Sequence, residues 1–236
     1  MRLFLLFFSI GILSADSIAE LKESYASDGP FSAGKKLAKL KPGIHYLEAI
    51  NSSQNELIIA VHGWKTNGFE WVYPLIELNN EANRIAFFRW KTTGCPNKAT
   101  EELFDIINLQ ISNYDKITLM GHSYGGMITA LFSEQWNGSM PLTVHSIAAA
   151  LAGTDRMRSE CKFSKETGYF IQDNVQFTQW RTIHEQDGAF KKMETDPQIT
   201  TLYNGHYIDL PSHWGDLRLG HNLSVKWVCK SLLNSL

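Results

Sequence analysis

A chain of 236 residues, 44% of them hydrophobic and 19% charged, is long enough to bury one core without disulfides or metals to hold it together. Its formal net charge of −2 provides no basic field to draw nucleic acid or anionic lipid onto a large surface, so no nucleic-acid partner is expected.

Taken in chain order, Arg2 and the apolar run Leu3 to Leu13 form a stretch too short to span a bilayer comfortably, and they read as a secretory signal peptide. The cut is expected after Ala15 or Ala19, leaving a mature chain from near Asp16 or Glu20; the later cut assigns residues 1–19 to the signal and 20–236 to a single domain, secreted or periplasmic. An uncleaved anchor is the alternative, and one positive charge is a weak signal for it. Lys41-Pro42-Gly43 introduces a short strand over residues 45–50, and residues 51–55 read as a turn. Leu57-Ile58-Ile59-Ala60-Val61 is continuously apolar, as for a strand covered on both faces, and it ends at His62-Gly63-Trp64. A helix follows over about 70–83, then a buried strand over 84–90.

Leu103, Ile107 and Ile111 recur every fourth residue on one helix face. The strand Lys116 to Met120 runs into Gly121-His122-Ser123-Tyr124-Gly125-Gly126, and Met127, Ile128, Leu131 and Phe132 mark the helix behind it. Another strand covers 143–150, residues 153–174 are a polar excursion, and strands are expected over 175–183 and within 200–210. A closing helix spans 223–233. This alternation implies a mostly parallel central sheet with helices on both faces.

Cys95, Cys161 and Cys229 are an odd set. The first two lie in loop-like stretches and are the favoured disulfide pair, whereas Cys229 sits on an apolar helical pattern. No Cys/His spacing suggests zinc, and the sequons at Asn51, Asn137 and Asn222 are read as chance matches.

A strand, a Gly-x-Ser-x-Gly turn and a helix form the context in which that motif carries chemistry, because the sharp turn projects the hydroxyl of Ser123 above the sheet. A serine hydroxyl is a poor nucleophile at neutral pH. It needs a base to remove its proton and donors to hold the developing oxyanion. The backbone N–H of Tyr124 is one expected donor, and the N–H of Trp64, after the first buried strand, is the other. His62 could equally be a loop-packing histidine.

These residues resemble the α/β-hydrolase superfamily and its lipase and esterase branch. The resemblance covers Leu57 to the C-terminus: the strand ending in His62-Gly63, the turn around Ser123, the segment from Trp180 to Gly188, and a late histidine. It implies an α/β-hydrolase fold with a small lid or none, and a triad in the order serine, acid, histidine. The acid maps onto Asp187, with Asp173, Glu185 and Asp196 as other positions. His221, in a loop before the closing helix as in several members of the family, is the first choice for the base. His213, which resembles the histidine of compact lipases, and His206 remain open.

The function implied is hydrolysis of small-molecule or lipid esters through an acyl-enzyme on Ser123, with no cofactor or metal. A transient contact with lipid surfaces is compatible with it. Thioesterase, amidase or peptidase activity on the same fold and a non-catalytic binding protein are the alternatives.

Overall fold

The computed structural model describes residues 16–46, 48, 49, 51, 53–109 and 111–234. Most of the expected signal peptide, residues 1–15, lies outside the described residues. A helix that the sequence reading did not anticipate, α1 (Asp16–Ala38), bends at Gly29, whose φ of 78° and ψ of 178° leave helical space. Pro30 then restarts the helix, its fixed φ being suited to a first helical position.

The rest of the chain alternates as expected: β1 (Gly43–Tyr46), β2 (Glu56–Val61), α2 (Phe69–Glu77), β3 (Asn83–Arg89), α3 (Pro96–Asn108), β4 (Lys116–His122), α4 (Tyr124–Gln135) and β5 (Leu142–Ile147). There follow α5 (Asp155–Cys161), β6 (Tyr169–Phe170), β7 (Val175–Arg181), β8 (Leu202–Tyr203), β9 (His206–Asp209), β10 (His213–Trp214), β11 (Leu217–Arg218) and α6 (Leu223–Leu233). The central seven-stranded sheet has the order β1-β3-β2-β4-β5-β7-β9. Only β1 runs antiparallel to its neighbour.

Period-two alternation divides the core between two faces. Leu57, Ile59 and Val61 of β2 join Leu103 and Ile107 of α3 and Met127 and Ile128 of α4 in one buried cluster. Ile58 and Ala60 join Leu21 and Leu37 of α1, Trp71 and Leu75 of α2, and Val225, Val228 and Cys229 of α6 in the other.

Several boundaries differ from expectation for local reasons. The helix expected to reach residue 83 stops at Glu77, because Asn80 Oδ1 accepts the N–H groups of Ala82 and Asn83 at 2.9 Å each and offers the backbone a turn instead. Ile111 falls in a separate 3-10 turn, not on the α3 stripe. The strand expected to 150 ends at Ile147, since Ala148 takes a φ of 45°. The final strand is split into β8 and β9 by Asn204, at φ 61°. The excursion contains α5, capped by Thr154, and β6, which pairs with β8 outside the main sheet. Cys95, at the start of α3, is disulfide-bonded to Cys161, at the end of α5, and Cys229 is a free buried thiol.

Parallel register brings the carboxyl ends of β2, β4, β5 and β7 to one edge of the sheet. Val61 lies beside Gly121 and Gly121 beside Ser146. In such sheets, ligands bind outside this edge.

Candidate active site

Ser123 occupies the turn between β4 and α4 with φ 56° and ψ −118°. A non-glycine residue rarely adopts this region, and it persists only where the surroundings over-determine it. Here the Ser123 N–H donates to the Ile147 carbonyl at 2.8 Å. The flanking glycines are required by close approach. A Cβ on Gly125 would stand 2.1 Å from the Val61 carbonyl oxygen, and one on Gly121 would stand 2.4 Å from that of Gly125. On Gly126 it would meet Ala149 Cβ at 2.5 Å.

Asp187 follows β7 and is fully buried, at 0% exposure. Its Oδ2 accepts the Thr182 hydroxyl at 2.5 Å and His221 Nδ1–H at 2.9 Å. Oδ1 accepts the N–H groups of Ala189 at 2.8 Å and Phe190 at 3.2 Å. Burial pushes this carboxyl upward, but the hydrogen bond and charge of His221, with the Thr182 and Ala189 donors, outweigh it and leave the group below the usual aspartate value. With Nδ1 donating to Asp187, His221 presents Nε2 as its basic atom when neutral. The ring is held edge-on by Phe190 at 4.9 Å, and the ring of His122, the residue preceding Ser123, lies 4.6 Å away.

Of the three late histidines, therefore, the structure brings His221 to Asp187 beside the serine turn. His213 sits exposed on β10 with Nδ1 on the Ser212 hydroxyl, and His206 bonds Thr178 Oγ1. The other acids are also engaged elsewhere or exposed. Asp173 accepts from Asn204, Asp196 accepts from Gln198, and Glu185 faces solvent.

The loop after β2 packs against the serine: a Cβ on Gly63 would be 3.0 Å from Ser123 Cβ. His62 anchors that loop. Its Nε2 faces two donors, Arg89 Nη1 at 2.9 Å and the Trp90 N–H at 3.2 Å, so Nδ1 carries the proton and donates to the Gly63 carbonyl at 2.7 Å. Burial pushes the His62 pKa down to about 3 despite the Gly63 bond, with the nearby Arg89 charge acting in the same direction. The sequence left His62 between packing and function, and the structure makes it a strut of the loop. Thr66 extends the same bracing, donating to the buried Glu70 carboxyl and accepting the Gly68 N–H at 2.8 Å.

Trp64 is 40% exposed, with Arg156 at 4.2 Å and Lys65 at 4.4 Å from its ring. Tyr124 opens α4, so its N–H belongs to the first turn, whose donors have no intrahelical acceptor. The Tyr124 ring stacks on Trp90 at 5.0 Å. Sequence reasoning missed the contributions of Thr182, Glu70, Arg89 and His122. The one available signal was the position of His122 inside the serine motif.

A largely parallel seven-stranded sheet covered by helices on both faces, with one antiparallel strand at its edge, is the α/β-hydrolase fold. Solved structures share this fold at low sequence identity. Est1E from Butyrivibrio proteoclasticus is similar with a TM-score of 0.54 and 12% identity over 78% of this chain and 87% of that one. A lipase-esterase related protein from Clostridium acetobutylicum gives 0.53 and 13% over 82% and 99%, and an esterase from Exiguobacterium antarcticum 0.52 and 11% over 78% and 92%. No protein-family model matches the chain, and no curated protein is significantly similar to it in sequence.

Proposed function

We propose that the chain is a serine hydrolase that cleaves carboxylic esters by acyl transfer, with Ser123 as nucleophile, His221 as general base and acid, and Asp187 as the residue that orients it. The observation that carries this reading is the buried Asp187–His221 pair at 2.9 Å beside a serine with φ 56°. His221 Nε2 takes the Ser123 proton as Oγ bonds to the carbonyl carbon. The same proton passes to the alkoxide leaving group, and a water activated by His221 then releases the acid and restores Ser123. The N–H groups of Trp64 and Tyr124 hold the oxyanion in both steps.

Ester substrates are supported by the descriptions of two structural neighbours, an esterase and a lipase-esterase related protein. Export through residues 1–19 belongs to the same proposal, and the Cys95–Cys161 disulfide supports an oxidising destination. The test is labelling with a fluorophosphonate, which should modify wild type and leave Ser123→Ala untouched, alongside a panel of nitrophenyl esters, thioesters and peptides. Turnover of thioesters or peptides without esters would replace the substrate class, and absence of labelling would remove the mechanism. His221→Ala should be inactive and His213→Ala active.

A further inference from the structure

We infer that His122, which lies between Gly121 and the nucleophile, is a positioning residue: its Nε2–H, 3.1 Å from the His221 carbonyl, docks the loop that carries the catalytic imidazole onto the serine turn. This rests on the function proposed above. His122 ends β4 and is 2% exposed, so its polar atoms have no recourse to solvent. A carbonyl oxygen only accepts, and the proton must therefore sit on Nε2, leaving Nδ1 a bare acceptor. That Nδ1 is buried without a partner. The bond to His221 is thus the ring's one hydrogen bond among the described residues, made while an unsatisfied acceptor is left on the other side of the ring. A residue present for packing alone would be better apolar.

The rest of the His221 loop explains why such an anchor matters. Asp187 orients the His221 ring, but a ring bond does not locate the backbone from which the ring projects. Backbone bonds hold the flanking residues, with the Ser224 N–H donating to the Gly220 carbonyl at 3.1 Å, and at His221 itself the carbonyl accepts His122 Nε2–H and also the Ser224 hydroxyl at 2.6 Å. His122 is the member of this pair that belongs to the same turn as Ser123, so it ties base and nucleophile to one rigid strand end. Burial, followed by the neighbouring His221 charge, holds His122 well below the usual histidine range. The ring is therefore a neutral spacer and does not compete for the Ser123 proton.

The side-chain amide nitrogen of glutamine coincides with Nε2 of histidine, and that of asparagine with Nδ1. The test is a comparison of His122→Gln, His122→Asn and His122→Leu as full-length oxidised enzyme, with active sites counted by fluorophosphonate burst so that misfolded molecules drop out. His122→Gln should retain kcat to within about tenfold of wild type. His122→Asn and His122→Leu should lose about 100-fold, the scale of a displacement of about 1 Å in a catalytic group, with KM unchanged. Ser224→Ala, which removes the second donor to the same carbonyl, should lower kcat in the same way. Equal kcat in all three His122 variants, whether near wild type or uniformly crippled, would overturn the assignment. Failure of wild type itself to be labelled would instead refute the underlying hydrolase reading.

Discussion

Acid should unfold this protein through its buried histidines. His62 and His145 are packed as neutral imidazoles, with burial as the main cause that lowers their pKa values to about 3 and about 4. Unfolded, each returns to the ordinary histidine value of about 6.5. As pH falls below that value the unfolded chain takes up two protons that the folded chain refuses, so stability falls with pH. Each group contributes a slope of about 1.4 kcal/mol per pH unit. By about pH 4.5 the two together have removed about 5 kcal/mol, against a total of about 5–15 kcal/mol for a typical domain.

His122 adds in the same direction. Glu70 opposes, since burial raises its carboxyl and the folded chain binds that proton first. Asp187, being lowered, contributes stability that is lost only as pH falls below its unfolded value, outside this window. Urea denaturation followed by tryptophan fluorescence between about pH 7 and 4.5 at constant ionic strength measures the slope. His145→Asn, whose amide turned to place Oδ1 at the Nδ1 position accepts the Trp180 Nε1–H now 3.3 Å from that atom, should flatten it by about 1.4 kcal/mol per unit. A change below about 1 kcal/mol across the range for wild type would refute the neutral burial of these rings.

Asp187→Asn should lower kcat by about 10⁴-fold, because His221 loses the partner that fixes its tautomer; steady-state ester hydrolysis checks it. Gly125→Ala sets a Cβ 2.1 Å from the Val61 carbonyl oxygen, where backbone must move, and should cost about 3 kcal/mol or more in chemical denaturation. Replacing Cys95 and Cys161 together by serine opens a loop closed across 66 residues and should remove about 4 kcal/mol on the chain-entropy estimate, read from the urea midpoint. Cys229, whose thiol burial and the Glu77 charge push up to about 12, should resist a thiol reagent in the native protein and react once denaturant is added.

The sheet was legible in the sequence because buried parallel strands need uninterrupted apolar runs. The run 57–61, the strand entering Ser123 and the stripe of α6 each state their environment within a few residues. The serine turn was equally legible, since backbone approaches near 2 Å admit only glycine at Gly121 and Gly125. Where the chain leaves the sheet, the local signal weakened. The first helix, the break at Asn204 and the true end of α2 depend on a left-handed residue or on one asparagine side chain bonding the backbone.

Which late histidine meets the buried acid was a different matter. His206, His213 and His221 all stand after Asp187 and near loops or strand ends, and nothing local distinguishes an imidazole that will meet a carboxylate from one that will meet a hydroxyl. Only the folding of α6 against the sheet, which sets the Gly220–Asn222 loop over β4, brings Nδ1 of His221 to Asp187 34 residues away. The tautomers of His62 and His122 are tertiary facts of the same kind. Each is dictated by donors and carbonyls 27 to 99 residues distant, which no periodicity in the chain records.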